Sequence, residues 1–367
     1  MKRKSKMLVT KTASIVADEF VKYEGKHPQM VGMVSGSMAG TANGVKYSVH
    51  NMLDKMFPKE LKKELRTIGG DRSGVVFASG ASEWAGAALL TPPLEADYHY
   101  FAPFLGLINI VAGKFANEIG FTGYISSDAT SCISSYKGIQ EAKWLIESGQ
   151  LDRVLVVGID DQVNASVMRV FGMTKASMSL EDEAVRKPSA FDSTNGGFRV
   201  SQGGGFVLLE KEESIYPAIA EVVSVAIGAE VCNNPIGMTI TGAGYKSVIS
   251  RCMKAYENPT FIKTHGTGTK ANNEGERAAI QGFFGDNFIA TGYKSEIGHT
   301  MGASGVVELS IAISDARKGL IRGIVNRTET DDKFLSYDKH CAVTSILLLG
   351  AGMGNVYAAV LLKLKGI

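Results

Sequence analysis

Brief apolar runs alternate along this chain with stretches in which apolar residues return every three or four positions. The runs at 73–78, 154–159, 206–210, 218–226, 261–264, 289–292, 344–349 and 356–364 carry Val, Ile, Leu and Phe over strand-like lengths, as strands buried on both faces do. A further strand is predicted at 30–34. Helical spacing marks 10–24, 59–66, 101–119, 139–147, 243–256 and 302–317. Strands alternating with helices predict an α/β fold with largely buried sheets, divided into a first half over 1–213 and a second over 214–367.

The chain has 367 residues, enough for a large core, with 45% hydrophobic and 21% charged residues and a net charge of +2. So even a balance argues against a dedicated nucleic-acid binder. The 42 glycines cluster in short runs between apolar segments, which points to tight strand–loop transitions. Lys2, Arg3, Lys4 and Lys6 are followed by no apolar h-region, and no run has the length of a membrane span, so a cytoplasmic protein is expected. The four cysteines (Cys132, Cys232, Cys252 and Cys341) are far apart and form neither a metal-ligand pair nor a disulfide framework. Gly36, Gly40 and Gly44 miss the dinucleotide spacing, and no Gly-Lys-Ser/Thr follows the triple glycine at 203–205. No bound cofactor or metal is expected.

The candidate chemistry starts at residues 126–135, a small-residue turn that lifts Cys132 to the start of a helix. Unpaired N–H groups and the helix dipole there favour thiolate over thiol. A lone cysteine among small residues is more often a quiet core residue than a nucleophile. What changes the picture lies downstream: His265 and His299 each follow a short strand and sit in glycine-rich loops, which hold function on a rigid scaffold. Together the three supply a nucleophile and two imidazoles. The stripe at 167–178, with Met168 and Phe171, is read either as core or as an acyl-chain pocket. Lys59, Lys62, Lys63 and Arg66 form either a solvated face or a docking site for an acidic partner.

Over residues 73–364 the chain resembles the elongating β-ketoacyl-acyl-carrier-protein synthases of the thiolase-fold superfamily. The resemblance is carried by the turn at 128–135, by Phe191-Asp192, Gly197-Phe198, Gly203-Gly204-Gly205 and Leu209-Glu210, by His265-Gly266-Thr267-Gly268-Thr269, and by Lys294-Ser295 followed by Gly298-His299. A second histidine after Lys-Ser, where the priming synthases carry asparagine, marks the elongating type. The implied fold is thiolase-like: two similar βαβαβαββ halves in a five-layer α-β-α-β-α body, dimeric, either with itself or with a chain-length-factor-like paralogue. The implied reaction is a decarboxylating condensation. Cys132 takes an acyl group from a carrier-protein thioester, malonyl-carrier loses CO2, and the enolate attacks the acyl-cysteine. By the same resemblance His265 and His299 stabilise the enolate through neutral Nε2–H groups. The backbone N–H groups of Cys132 and Ala351, within the run Gly350, Ala351 and Gly352, receive the oxyanion. Lys294 orders His299 and Glu276, with Schiff-base chemistry as its alternative, while Thr267, Thr269, Phe198, Met168 and Phe171 line the substrate. Phosphopantetheine arrives on the acyl carrier protein rather than as a resident cofactor.

Two positions depart from that family's pattern. Ala351 stands where a gating phenylalanine is usual, which keeps the N–H and removes the bulk, and Asn273 replaces an aspartate. Both point to a specialised synthase for a fatty-acid, polyketide or polyene product. The alternatives are an acyltransferase, cyclase or thioester hydrolase that uses acyl-Cys132 without malonyl chemistry, or a catalytically silent partner subunit. Such silent subunits generally lack the cysteine that this chain retains.

Overall fold

The structure, a computed structural model, describes residues 7–12, 49–80, 107–160, 171–174, 176–178, 187–193, 196–211, 218–234, 237–254, 256 and 258–365. The expected helix at 10–24, the strand at 30–34 and Met168 lie wholly or largely outside these residues.

In the first half, strand β1 (Met7–Thr12) precedes helices α1 (Val49–Met56) and α2 (Lys59–Thr67). Strand β2 (Ser73–Ala78), helix α3 (Ile108–Ile119) and strand β3 (Tyr124–Asp128) follow. A tight turn (Ser131–Ile133) opens helix α4 (Ser134–Glu147), and strands β4 (Arg153–Asp160) and β5 (Gly203–Lys211) close the half. The second half begins with β6 (Ala220–Ala229), α5 (Ala243–Cys252), β7 (Phe261–Lys263), α6 (Lys270–Phe284) and β8 (Ala290–Thr291). A short helix α7 (Lys294–Ile297) and a turn (Met301–Ala303) lead into α8 (Ser304–Arg317). The ribbon β9 (Leu320–Ile321) and β10 (Lys339–His340) precedes the last strands, β11 (Ser345–Gly352) and β12 (Val356–Leu364).

The duplication is visible in the sheet. One half has the order β3-β2-β4-β5-β1 and the other β8-β7-β11-β12-β6. In each, the first three strands are parallel and the last two antiparallel. The halves meet where β1 pairs antiparallel with β6. Helices α1 and α3 cover the outside of the first sheet, and α5 covers the second with α6 packed on it. Helices α4 and α8 touch strands of both sheets and each other, which makes them the middle of five layers. Burial agrees, since 12 of the 14 residues of α8 are buried, leaving no polar face for solvent. Close packing there needs small residues: a Cβ on Gly158 would lie 2.5 Å from Val306 and 2.6 Å from Ser135.

Several elements differ from the sequence-based expectation. Residues 10–12 belong to strand β1 rather than to a helix, and α1 and α6 are helices that the apolar spacing did not mark. Residues 124–128 form a strand rather than part of the cysteine turn. Strand β11 continues through Gly350, Ala351 and Gly352, paired with Ala358, Tyr357 and Val356, where a loop is expected. The helix expected at 243–256 ends at Cys252.

Candidate active site

Cys132 is the middle residue of the turn between β3 and α4. Ser131 before it has φ 52°, the left-handed conformation that turns the strand sharply into the helix. Strand β11 runs beside this turn so closely that a Cβ on Gly352 would lie 3.1 Å from the Cys132 nitrogen. Gly350 faces Tyr136, and Ala351 between them is buried. Cys132 clusters with Phe198, Val200 and Met301, and Phe171 borders the cluster. Phe171 meets Phe198 edge-on at 5.9 Å, whereas Met173 of the same stripe is exposed.

His299 reaches the same place from the second half. Its backbone is pinned by its N–H donating to Arg199 O at 2.7 Å and by Ser201 N–H donating to its carbonyl at 3.0 Å. Its ring lies edge-on to Phe198 at 4.9 Å and to the His265 ring at 5.4 Å. Met301 N–H donates to His299 Nδ1 at 3.2 Å, and Ser304 Oγ lies 3.0 Å from the same nitrogen. A backbone N–H can only donate, so Nδ1 is an acceptor and the ring proton sits on Nε2.

His265 follows β7 on the loop that carries Thr267 and Thr269, whose hydroxyls are 3.1 Å apart. The loop is held by Glu276, which accepts from His265 N–H at 2.5 Å, Gly266 N–H at 3.0 Å and Asn272 Nδ2 at 3.1 Å. Neither amide atom of Asn273 has a partner among the described residues.

Burial, reinforced by the Lys294 and Lys263 charges, holds both imidazoles well below the ordinary histidine value, so each is neutral at pH 7. Burial also pushes the Cys132 thiol up to about 11, against opposing contributions from Ser131 and Lys294. That direction runs against the expected bias toward thiolate, because desolvation of the buried sulfur opposes what the turn and Lys294 supply.

Lys294 lies under the site, 2.5 Å from Glu308. Its carboxylate partner is thus Glu308 and not Glu276, whose oxygens are taken by the His265 loop. A second buried ammonium, Lys263, also bonds Glu308 and donates to Leu349 O at 3.1 Å, one residue before Gly350. Sequence reasoning missed Glu308 and Lys263. A glutamate inside the apolar run of α8, and a lysine inside a buried three-residue strand, were the signals available. Of the proposed docking residues, Lys62 is occupied by Asp54 at 3.0 Å and Glu118 at 2.8 Å, while Lys59, Lys63 and Arg66 are exposed. Among the described residues no cluster of His, Cys, Asp and Glu fits a metal ion, and no helix is long and apolar enough to cross a membrane.

Comparison with known proteins identifies the family of the chain. The putative polyketide β-ketoacyl synthase 1 of Streptomyces virginiae is 26% identical over 96% of this chain and 79% of the relative. The ketoacyl synthase alpha subunit of the tetracenomycin polyketide synthase of Streptomyces glaucescens is 24% identical over 81% and 71%. The 3-oxoacyl-[acyl-carrier-protein] synthase 2 of Vibrio cholerae is 24% identical over 72% and 67%. Among solved structures, a chain of the AntDE:AntF assembly, a type II polyketide acyl-carrier protein in complex with its ketosynthase, superposes with a TM-score of 0.77. It is 17% identical and is matched over 99% of this chain and 100% of its own. The ishigamide ketosynthase/chain length factor gives 0.73 at 18% identity, with the same coverage. The family model for the N-terminal domain of β-ketoacyl synthases matches residues 58–214, and that for the C-terminal domain matches 219–328. The chain belongs to the β-ketoacyl synthase family.

Proposed function

We propose that this protein condenses an acyl group held on Cys132 with malonyl-carrier protein, releasing CO2 and β-ketoacyl-carrier protein in a specialised fatty-acid or polyketide-type pathway. The observation that carries this is the convergence of Cys132 with two neutral histidines, one of them locked with its proton on Nε2. In the first step the Cys132 thiol attacks the acyl thioester, and its proton leaves with the carrier's phosphopantetheine sulfur. The oxyanion formed on the way lies between Cys132 N–H and the β11 edge at Ala351. In the second step malonyl thioester loses CO2. The negative oxygen of the enolate is received by Nε2–H of His265 and His299, a role that a neutral imidazole with its proton on Nε2 can fill. The enolate carbon attacks the acyl-cysteine, and the departing Cys132 sulfur takes up a proton from solvent, which restores the thiol. The phosphopantetheine arm comes with the carrier, so no resident cofactor is invoked.

An acyl carrier protein as partner is supported by the AntDE:AntF likeness and by the exposed Lys59, Lys63 and Arg66, since carriers are acidic. Charge reversal at Lys59 and Lys63 together is expected to raise the KM for acyl-carrier about fivefold with kcat unchanged. An unchanged KM places docking elsewhere. Dimerisation, with itself or with a chain-length-factor-like paralogue, fits the outer sheet strand β3, whose Tyr124 and Ile125 are exposed. The free cysteines fit a reducing cytoplasm.

Ala351 favours a second reading, acyl transfer without malonyl decarboxylation, because the gating bulk is missing. The mass of carrier-bound product after mixing enzyme, acyl-carrier and malonyl-carrier separates the two. A β-ketoacyl carrier is the expected result. Acyl-Cys132 accumulating beside intact malonyl-carrier would hand the lead to transfer alone.

A further inference from the structure

The two halves share their turns as well as their sheets. Ser131–Ile133 opens α4 behind Ser131 at φ 52°, and Met301–Ala303 opens α8 behind Met301 at φ 49°. Cys132 and Gly302 are the middle residues of these turns and therefore counterparts. The strands that flank them also correspond: β11 and β4 are both eight residues long, third in their half's sheet order, and end at Gly352 and Asp160. In the first turn the Cys132 N–H faces a strand end with no side chain, which leaves space for an oxyanion. In the second, the same position carries a carboxylate. Gly302 N–H donates to Asp160 Oδ2 at 2.6 Å, Gly80 N–H donates to the same oxygen at 2.8 Å, and Ser79 Oγ donates to Oδ1 at 2.7 Å. Asp160 is 2% exposed.

We propose that Asp160 fills the second half's copy of the oxyanion site and acts as a positioning residue for His299. Holding Gly302 N–H fixes the turn from one side, while Ser135 Oγ donates to Gly302 O from the other. The neighbouring N–H in that turn, Met301's, is the one that sets the His299 ring and its tautomer. The donors to Asp160 come from Ser79 and Gly80 in one half and Gly302 in the other, so the carboxylate also fastens the nucleophile's half to the histidine's. Alanine at this position removes the acceptor from the Gly302, Gly80 and Ser79 donors, whereas asparagine can turn its NH2 to the Ser79 hydroxyl oxygen and keep its carbonyl for the two N–H groups.

The proposal rests on the condensation reading only for its kinetic consequence, so the test has two arms. In 15N-histidine NMR of the full chain, His299 is expected as a single Nε2–H tautomer in the parent and as a tautomer mixture in Asp160→Ala. In parallel, CO2 release from malonyl-carrier is expected to fall about thirtyfold in kcat with KM little changed, as for a displaced donor rather than a lost contact. An unchanged tautomer with kcat within about twofold overturns the proposal. A parent that releases no CO2 sinks the condensation reading instead, and the NMR comparison still decides the role of Asp160. Should Asp160→Ala not fold, Ser79→Ala keeps the carboxylate while loosening it. A kcat loss of about threefold is then expected, and none overturns the proposal.

Discussion

With His299 replaced by alanine, CO2 release from malonyl-carrier is expected to fall about a thousandfold while acylation of Cys132 persists. The split follows from where the ring sits. Met301 N–H occupies Nδ1, so the only proton the ring can offer is on Nε2, and burial keeps it a neutral donor across the working pH range. That donor is useful only when negative charge appears on the malonyl oxygen. Preorganised donors of this kind contribute about 3–4 kcal/mol to the barrier they lower. Acyl transfer draws instead on the Cys132 N–H and the β11 edge, which the substitution leaves in place. His299→Gln, which retains an amide N–H, is expected to recover about tenfold of the loss. Labelled CO2 release and the intact mass of the acyl-enzyme measure the two halves separately. Equal loss of both, with no recovery in the glutamine variant, would make His299 structural.

Much of the fold was legible because its strands are buried on both faces, and such strands read as uninterrupted apolar runs. Strands β2, β4 and β12 have this character, and the structure places them within a residue or so of their predicted bounds. Strand β3 does not. It lies at the end of the sheet with Tyr124 and Ile125 exposed, and its Ser-Ser-Asp tail carries no apolar signal, so it merges into the turn that follows. The Gly-Ala-Gly end of β11 was hidden for the opposite reason, since turn-forming residues here serve close approach to Cys132 and Tyr136 rather than a loop. At the site, Cys132, His265 and His299 stood out through their local surroundings. Glu308, Lys263 and Asp160 did not, because each is defined by partners distant in sequence. Asp160 and Gly302, 142 positions apart, meet only after both halves fold. The burial of the Cys132 sulfur was hidden for a related reason: a helix N-terminus is visible in sequence, whereas the desolvation that opposes its effect on the thiol is not.

Replacing Glu308 with glutamine is expected to cost the fold about 3–5 kcal/mol, the penalty of leaving buried charge uncompensated. Glu308 is the one carboxylate bonded to both Lys263 and Lys294 among the described residues, and the side chains of all three are at most 2% exposed. Glutamine offers a single carbonyl oxygen to two ammonium groups and no charge to either. Folding must then expel a proton from a lysine or carry the unpaired cation, and both are costly in a dry interior. Lys263→Met is expected to be far milder, within about 1–2 kcal/mol, because Lys294 and Glu308 remain a pair and the methylene chain is replaced by one of similar volume. Combining the two substitutions should therefore destabilise less than their sum, since the glutamine then faces one cation instead of two. Urea unfolding of the parent, both single variants and the double variant gives the coupling directly. A Glu308→Gln protein within about 1 kcal/mol of the parent would show that the two lysines do not depend on this carboxylate for their burial.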